Sequence, residues 1–339
     1  MRIVITGGQG FVGAQLAREL LSRGSFRGRD IGEIVLADRV APAPGPAGGD
    51  PDRTSGTIRV STVTGDLAVT VPELFGEPVD VLFHLASAVS AECERDMDLG
   101  LVNNLDATRA VLNAARAQRE GGGPPCTVVF SSSLAVYGPD PACPLPEVVS
   151  EKTPAFPQSS YGTQKLACEH LIADFTRRGF LDGRVVRLMT VCVRPGKPNA
   201  AASSFVSGIV REPLSGVEAV CPVGRDLELA ISSPATTVAG ILAVAEASRG
   251  SGPGQLTGRL AVNLPALTVT VGQMLDALHE VGGAQAASLV REEPDPAIEA
   301  IVRSWPARFD NSRAEHLGLR PDRDILDVVR AYRSAVSPG

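Results

Sequence analysis

The first half of the chain alternates short runs of β-branched and aliphatic residues with longer stretches whose apolar positions recur every three or four residues. This alternation predicts parallel strands joined by helices. The predicted strands cover residues 2–6, 33–38, 58–64, 79–84 and 127–131, and the predicted helices cover 11–23 and 99–118. Because right-handed crossovers place such helices on both faces of one sheet, we expect an α/β fold with a doubly wound parallel sheet.

The pattern changes after about residue 195, where polar runs separate isolated strands and helices. Residues 40–56 are rich in proline and glycine and are predicted to form a surface loop. We expect residues 1–194 to form mainly one large domain and residues 195–339 mainly a smaller C-terminal lobe, with some later segments returning to the first domain. From residue 184 onward we predict strands over 184–193, 217–223 and 259–264 and helices over 270–281 and 325–334.

Composition and charge narrow the functional classes. The formal net charge of the 339-residue chain is -6, which argues against a basic face that binds nucleic acid. No apolar run approaches the ~20 residues that cross a bilayer, and no signal peptide precedes the first strand, so we expect a cytoplasmic protein. The six cysteines and four histidines show no ligand spacing, so we expect reduced thiols and no metal site.

A glycine-rich segment, residues 6–13, ends the first predicted strand and opens the first predicted helix. Gly7 and Gly10 would let the backbone approach a pyrophosphate, and Gly13 would let the helix pack closely on the strand. The helix N-terminus adds unpaired amide groups and a partial positive charge. A purely structural turn is the alternative, but strand, turn and helix together predict the dinucleotide site of a Rossmann fold.

The second predicted strand ends at Asp38. A carboxylate there accepts hydrogen bonds from both adenosine-ribose hydroxyls and repels a 2′-phosphate, so NAD is favoured over NADP. The neighbouring Arg39 leaves NADP open, because an arginine can hold a phosphate. Asp66 and Leu67, after the third strand, are candidate adenine contacts, although Asp66 could instead cap a helix or turn.

Ser133, Tyr161 and Lys165 are the candidate catalytic residues. Tyr161 and Lys165 are four positions apart on one face of a predicted helix, and Ser133 closes a serine run after a strand. A tyrosine that takes a proton from an alcohol near neutral pH needs its pKa lowered from about 10. A cation about 4 Å away supplies about 4 kcal/mol at an effective dielectric of ~20, so we expect Lys165, with oxidised nicotinamide, to activate Tyr161. Ser133 would hold the reacting oxygen during hydride transfer.

These motifs resemble those of the extended short-chain dehydrogenase/reductase family, which includes sugar-nucleotide epimerases and dehydratases. The glycine turn, the acid after the second strand, the H-L-A sequence at 84–86, the serine run and Y-x-x-x-K occur in the family's order. The spacing to the V-Y-G sequence at 136–138 favours Ser133 over Ser132. Asn104 matches a helix asparagine that shapes the family's active site, although Ala107 replaces the usual glycine.

The resemblance implies one set of residues for catalysis and another for the cofactor. The implied catalytic residues are Ser133, Tyr161 and Lys165. The implied NAD contacts are Gly7, Gly10, Phe11, Val12, Gly13, Asp38, Asp66, Leu67, Leu85, Ala86, Asn104, Tyr161 and Lys165.

Segments at 157–165, 194–205, 211–214 and 304–310 narrow the resemblance to a subgroup that oxidises D-erythronate, a four-carbon sugar acid. This implies NAD-dependent oxidation of its 2-hydroxyl to a 2-oxo acid. Polar groups near the strand ends would hold the carboxylate and hydroxyls, although each can equally be an ordinary surface residue. The candidate substrate residues are Ser87, Ser90, Ser133, Lys197, Asn199, Ser203, Ser204 and Arg211.

Two other functions stay open. A nucleotide-sugar epimerase or dehydratase would use the same residues and retain its NAD, but the sequence after Arg187 departs from the usual nucleotide-sugar pattern. A non-catalytic NAD-binding sensor would have no use for a complete serine, tyrosine and lysine set. We expect a small-molecule substrate and no nucleic-acid or membrane partner, and the resemblance implies a homodimer through the Tyr161 helix and the helix over 99–118.

Overall fold

The computed structural model describes residues 1–41, 57–196 and 201–336 in full and the backbone of residues 53–55. The strands are β1 (Arg2–Thr6), β2 (Ser25–Phe26), β3 (Arg29–Asp30), β4 (Glu33–Asp38), β5 (Arg53–Ser55), β6 (Ile58–Thr64), β7 (Val81–His84), β8 (Thr127–Ser133), β9 (Asp182–Leu188), β10 (Thr190–Val191), β11 (Ala219–Cys221), β12 (Glu228–Ser232), β13 (Val262–Asn263), β14 (Leu267–Thr270) and β15 (Val290–Glu292). The helices are α1 (Phe11–Arg23), α2 (Leu67–Leu74), α3 (Ser90–Arg95), α4 (Met97–Gly100), α5 (Ala107–Glu120), α6 (Ser160–Arg177), α7 (Ser204–Leu214), α8 (Pro234–Glu246), α9 (Val271–Ala287), α10 (Pro296–Arg303), α11 (Ser312–His316) and α12 (Ile325–Val336). A π-helical segment, Leu101–Asp106, joins α4 to α5.

Eight strands form the main sheet in the order β13-β9-β8-β7-β1-β4-β6-β5. All neighbouring strands are parallel except β5 and β6, which are antiparallel. The chain runs outward from β1 through β4 to β6 and then crosses back to β7, β8 and β9 on the other side. This reversal opens a crevice at the carboxyl ends of β1 and β7, where ligands bind in sheets of this kind. The expected α/β fold with a doubly wound parallel sheet is confirmed.

Alternate residues of the central strand β1 enter two hydrophobic layers, one on each face of the sheet. Ile3 and Ile5 lie in a layer with Leu16 of α1, whereas Val4 lies in the opposite layer with Val111 of α5. Each fully buried aliphatic side chain of this kind contributes about 1.5–3 kcal/mol to folding. The two layers thereby hold α1 and α5 against β1, and with them the turn that follows β1.

A second hydrophobic core surrounds a three-stranded sheet with the order β10-β12-β14 and includes residues of α7, α9 and α12. Strand β12 is parallel to β10 and antiparallel to β14. Later segments nevertheless return to the main sheet, because β13 pairs with β9 and α8 buries Val238 and Ile241 in the layer that contains α1. The two cores are therefore joined by several chain crossings.

Some predicted elements differ from the structure in their bounds. The strand predicted over 184–193 is two strands, since β9 pairs with β8 in the main sheet whereas β10 pairs with β12 in the second sheet. The helix predicted over 99–118 begins at Met97 and contains the π-helical segment. The helix predicted over 270–281 continues to Ala287 across a break at Gly283, whose φ is 75°. Strands β11 and β13 are shorter than predicted.

The proline- and glycine-rich region was predicted as a loop throughout, and its residues 42–52 and 56 lie outside the described residues. Residues 53–55 form the edge strand β5 rather than loop, because they pair with β6. In the described ranges, no helix combines the length and the apolar character that a bilayer crossing requires.

Candidate active site

A cavity of about 480 Å³ opens at the carboxyl ends of the central strands. The turn after β1 and the tips of β4 and β6 form one end, and the end of β8, the start of α6 and the segment after β9 form the other. The predicted site residues that line it are Gly7, Gly10, Phe11, Val12, Gly13, Asp38, Asp66, Leu67, Leu85, Ala86, Ser87, Ser90, Ser133, Tyr161, Lys165 and Ser203. The fold therefore brings most of the predicted cofactor and catalytic residues to one cavity.

The turn after β1 has the shape that a dinucleotide pyrophosphate needs. Gly7 has a φ of 71°, and a Cβ placed on it would lie 2.8 Å from the backbone nitrogen of Ala86. A Cβ on Gly13 would lie 2.2 Å from the Gly7 carbonyl oxygen, so α1 packs directly on the turn. Gly10 precedes α1 and offers no capping side chain. The first amide groups of α1 therefore remain available to an anion.

Asp38 stands beside this turn at the tip of β4. Its carboxylate accepts hydrogen bonds from the backbone amides of Gln9, at 3.0 Å, and Val40, at 3.2 Å. These contacts fix the carboxylate at the edge of the cavity, where ribose hydroxyls would reach it. Asp66 lines the same end, but its carboxylate accepts from the Ala68 amide at 3.1 Å and caps α2.

His84, at the end of β7, is a buried neutral residue that braces the cavity wall. Its Nδ1 lies 2.7 Å from Thr6 Oγ1 and its Nε2 lies 2.9 Å from Thr108 Oγ1. The Thr108 hydroxyl donates to the Asn104 carbonyl oxygen, so it accepts from His84 and the ring proton is assigned to Nε2. Burial, followed by the charge of Lys165, lowers the pKa of His84 to about 3. The ring thus connects β1 to α5 through uncharged hydrogen bonds.

Asn104 lies behind the cavity wall, which corrects its predicted role as a cofactor contact. Its side chain is 3% exposed. The Oδ1 atom accepts from the Ala88 amide at 2.7 Å and from the Ser87 hydroxyl at 2.9 Å, and Nδ2 donates to Gln164 Oε1 at 2.8 Å. The amide is engaged by the protein itself, so Asn104 shapes the cavity by holding residues 87–88 in place.

Ser133, Tyr161 and Lys165 meet at the other end of the cavity. The Ser133 hydroxyl lies beside Tyr161, whose pKa it lowers, and accepts from the Ala135 amide at 3.2 Å. Lys165 is 2% exposed and donates from Nζ to the Ser131 carbonyl oxygen at 2.8 Å. Its Nζ lies 5.6 Å from the centre of the Tyr161 ring. The three side chains therefore form one contiguous polar group in the wall of the cavity.

The neighbouring Ser132 has a different partner. Its hydroxyl donates to Glu169 Oε1 at 2.5 Å. Glu169 in turn forms a two-pronged ion pair with Arg187, with N–O distances of 2.9 and 2.6 Å. Ser132 is thus engaged by Glu169, and Ser133 is the serine that lowers the pKa of Tyr161.

The pKa of Tyr161 differs from the sequence-based expectation. Burial raises the pKa of Tyr161 to about 12, although the Ser133 hydrogen bond and the nearby Arg194 act in the opposite direction. Burial also lowers the pKa of Lys165 to about 8. The expectation gave desolvation too little weight, and the Lys165 ammonium is directed at a carbonyl oxygen. The chain alone therefore holds Tyr161 protonated at neutral pH.

Two predicted substrate residues have positions that the sequence did not indicate. Arg211 is buried in α7 and donates to the Arg194 carbonyl oxygen at 2.9 Å and to Glu212 at 2.6 Å. It supports the cavity wall from behind, which corrects its predicted contact with substrate. Ser204 is the first residue of α7 and is not among the residues that line the cavity.

Three further predicted substrate residues are Ser90, Lys197 and Asn199. The Ser90 hydroxyl oxygen accepts from the Ala202 amide at 3.3 Å and so ties the segment before α7 to the start of α3. Lys197 and Asn199 lie outside the described residues.

Sequence reasoning missed Arg194 and Trp305, which line the cavity at the Tyr161 end. Arg194 is the first cation after the strand predicted over 184–193, and that position was an available signal. Nothing in the local sequence of Trp305 places it at the cavity, because it arrives there from the distant C-terminal lobe. Among the side chains described, no three His, Cys, Asp or Glu residues converge as metal ligands.

Comparison with known proteins gives a family match. Residues 3–227 match the sequence model of the NAD dependent epimerase/dehydratase family. The D-erythronate dehydrogenase of Haemophilus influenzae is 44% identical over 333 residues, and the alignment covers 98% of each chain. The D-erythronate dehydrogenase of Cupriavidus necator is 46% identical over 340 residues, again with 98% of each chain covered.

A solved structure shares the whole architecture. The nucleoside-diphosphate-sugar epimerase from Agrobacterium tumefaciens superposes with a TM-score of 0.86 at 36% identity. The superposition covers 99% of this chain and 94% of that one. Both cores are therefore shared between the two proteins.

Proposed function

Since the chain belongs to the NAD dependent epimerase/dehydratase family and is an NAD-dependent oxidoreductase, we propose that its substrate is D-erythronate, oxidised at the 2-hydroxyl. The observation that carries the proposal is the convergence of Ser133, Tyr161 and Lys165 at one end of a cavity whose other end fits a dinucleotide. In the reaction the C2–H bond breaks with its electron pair, the hydroxyl proton leaves, and a C2 carbonyl forms. The hydride would pass to bound NAD, which would leave as NADH.

The residues at the first end of the cavity fit NAD. The α1 N-terminus and the turn at Gly7 and Gly10 would hold the pyrophosphate, and Asp38 would accept from the adenosine ribose. Other residues that line the cavity would contact the rest of the cofactor, namely Phe11, Val12, Gly13, Asp66, Leu67, Leu85 and Ala86. Bound NAD supplies the hydride acceptor and, when oxidised, a positive charge.

Tyr161 takes the hydroxyl proton in this proposal, and Ser133 holds the substrate oxygen. Lowering the pKa of Tyr161 from about 12 to near 7 requires about 7 kcal/mol, at 1.36 kcal/mol per unit. One cation about 4 Å away supplies about 4 kcal/mol at an effective dielectric of ~20. A single neighbouring cation is therefore too weak, and Lys165 must act together with other positive charge in the loaded site. Lys165 also fixes the end of β8 through the Ser131 carbonyl.

The variant Tyr161→Phe tests this role. We expect kcat for NADH formation from D-erythronate to fall by about 10²–10⁴, which is what a positioned proton acceptor contributes, while the Kd for NAD is retained. Tyr332→Phe is the matched control, because Tyr332 packs in the second core and not at the cavity. Turnover of Tyr161→Phe at the wild-type rate would remove Tyr161 from the mechanism.

A substrate panel decides between the dehydrogenase and the epimerase that the Agrobacterium tumefaciens structure represents. Wild-type protein is assayed with four-carbon sugar acids and with UDP- and GDP-sugars. We expect net NADH formation with sugar acids only. Interconversion of a nucleotide sugar, with NAD retained through purification and no net NADH, would contradict the proposal.

We also propose a homodimer and a division of labour within the chain. Residues 1–194 would mainly bind NAD and carry the catalytic side chains, and residues 195–339 would mainly select the substrate. The dimer would form through α6 and the helical segments from α4 to α5, where Met97 is 61% and Val102 46% exposed. Sedimentation of wild type and Val102→Arg tests this, since the charged variant should sediment as a monomer.

A further inference from the structure

Arg194 brings a positive charge to the catalytic end of the cavity. It follows β10 and lines the cavity together with Ser133, Tyr161 and Trp305. Its charge acts on Tyr161, and burial is the main cause of a lowered pKa for Arg194 itself. Arg194 and Tyr161 therefore line the same cavity, and the guanidinium is partly withdrawn from water.

The guanidinium of Arg194 has no hydrogen-bond acceptor among the described residues, although its backbone is held on both sides. The Arg194 amide donates to Ser207 Oγ at 3.0 Å, and its carbonyl oxygen accepts from Arg211 Nη1 at 2.9 Å. Other buried arginines differ, since Arg184 pairs with Asp182 and Arg187 pairs with Glu169. The fold thus fixes the backbone of Arg194, and no residue in the described ranges accepts from its five N–H donors.

A cation partly removed from water without a partner lowers stability, so its presence in a cavity indicates an anionic ligand. The planar fork of arginine matches a carboxylate, which it binds through two parallel hydrogen bonds. The walls next to it carry hydroxyl groups. The Ser87 hydroxyl donates to Asn104 Oδ1, so its oxygen can accept from a ligand, whereas the Ser90 oxygen accepts from a backbone amide and its proton is available.

We propose that Arg194 binds the carboxylate of the substrate and thereby restricts the enzyme to 2-hydroxy acids. With the carboxylate on Arg194, the adjacent carbon is the one presented to Ser133 and Tyr161. The same contact therefore selects the acid and sets the position of oxidation. Ser87 and Ser90 bind hydroxyls further along the chain. This inference rests on the proposed dehydrogenase function and adds the group that distinguishes a sugar acid from a neutral sugar alcohol.

Kinetics of Arg194→Gln, Arg194→Lys and a matched control test the proposal. For Arg194→Gln we expect KM for D-erythronate to rise about 100-fold, with KM for NAD within twofold of wild type. Arg194→Lys keeps the charge without the fork, so we expect a rise of about 10-fold. Arg225→Gln removes a surface arginine that pairs with Glu292, and its kinetics should match wild type.

The neutral four-carbon alcohol erythritol separates recognition of the carboxylate from general damage. Wild type should prefer D-erythronate over erythritol strongly in kcat/KM, and Arg194→Gln should lose most of that preference. An unchanged preference, or a KM for D-erythronate within threefold of wild type, would overturn the proposal.

A binding experiment decides the role of Arg194 even if the proposed reaction is wrong. Trp305 is the one tryptophan in the sequence and lines this end of the cavity, so its fluorescence reports occupancy. D-erythronate and D-glycerate are titrated into NAD-loaded Tyr161→Phe protein, which cannot turn over. We expect saturable binding that Arg194→Gln abolishes. If wild type oxidises no sugar acid, the proposed function fails, and a carboxylate titration that Arg194→Gln leaves unchanged would overturn this inference separately.

Discussion

Arg187 and Arg194 lie close together in sequence, yet the fold surrounds them with opposite chemistry. Arg187 is 4% exposed, binds Glu169 through two hydrogen bonds and donates to the Tyr137 hydroxyl. Burial alone would lower the pKa of Arg187, but the hydrogen bonds to Glu169 raise it above its usual value. Burial lowers the pKa of Arg194, and no described residue accepts from its guanidinium.

This difference in hydrogen bonding makes Arg187 a structural cation and Arg194 a cation that is available for binding. The Arg187 donors are engaged by Glu169 of α6 and by Tyr137, which follows β8, so the residue joins these segments to β9. Arg194 lines the cavity together with Tyr161. A buried charge with every hydrogen bond made can be tolerated by the fold, whereas one with open donors retains its capacity to bind an anion.

The largest expected effect comes from removing the partner of the structural cation. Glu169→Gln leaves the charge of Arg187 buried without its counterion. We expect the free energy of unfolding to fall by about 3–5 kcal/mol, measured by urea denaturation.

A surface ion pair with the same closest distance provides the control. Arg225 and Glu292 are 2.6 Å apart, as are Arg187 and Glu169, but their side chains are 58% and 42% exposed. Glu292→Gln should change the unfolding free energy by at most about 1 kcal/mol. Equal losses in the two variants would contradict the distinction drawn from burial.

Tyr137→Phe should have the next largest effect. The Tyr137 hydroxyl accepts from Arg187 Nη1 and lies 3.1 Å from Asn263 Oδ1, so its loss leaves buried polar groups unpaired. We expect a loss of about 1.5–3 kcal/mol, the usual range for a hydrogen bond to a charged group. Thermal and urea unfolding of the variant measure it, and a loss below about 0.5 kcal/mol would show that Arg187 needs only Glu169.

Lys165 is intermediate between the two arginines, because it is buried without a counterion in the described ranges but donates to the Ser131 carbonyl oxygen. Its contribution to the free energy of unfolding should depend on pH. Burial lowers its pKa from 10.5 to about 8, so the folded state releases this proton before the unfolded state does. Stability due to Lys165 therefore rises with pH from 8 toward 10.5, by about 1 kcal/mol between pH 8 and 9.

The difference in unfolding free energy between wild type and Lys165→Met isolates this change, because the buried cysteines and Tyr161 titrate in both proteins. Their raised pKa values make stability fall at higher pH, which is why the comparison stops at pH 9. A difference that stays flat from pH 7.5 to 9 would mean that the Lys165 pKa is not depressed.

The smallest expected effect on stability is at the cation available for binding. Arg194→Met should leave the unfolding free energy unchanged or raise it by up to about 1 kcal/mol, because no described protein partner is lost. Arg187→Met is the contrasting variant and should lose several kcal/mol. Melting curves of both distinguish the roles, and a large loss in Arg194→Met would show that the residue is structural.

The bounds of three strands and of the first helix could be predicted from the sequence, because local signals set them. Strands β1, β4 and β6 and helix α1 have the predicted ends, since the β-branched runs and the glycines at both ends of α1 act locally. The π-helical segment could not be predicted, because it depends on how Asn104 meets Gln164 and the Ala88 backbone.

The residues at the glycine-turn end of the cavity were also easier to place from the sequence than those at the Tyr161 end. A glycine turn and a carboxylate after β4 are defined by a few consecutive residues. To choose between Arg194 and Arg211 as a ligand, one must know where α7 begins. One must also know which of the two side chains points toward the cavity. Arg211 lies on the buried face of α7, a fact that depends on packing against the second core.

The chain passes directly from β9 in the main sheet to β10 in the second sheet. This change of sheet has a consequence for protein engineering. In the proposed mechanism the groups for hydride and proton transfer are anchored before Leu188, whereas the proposed carboxylate ligand, Arg194, follows this change of sheet. Exchanging the residues from 189 onward through α7 for those of a relative should therefore retarget the enzyme to other hydroxy acids. The redox machinery would be inherited intact, which makes this junction a natural crossover point for chimeras.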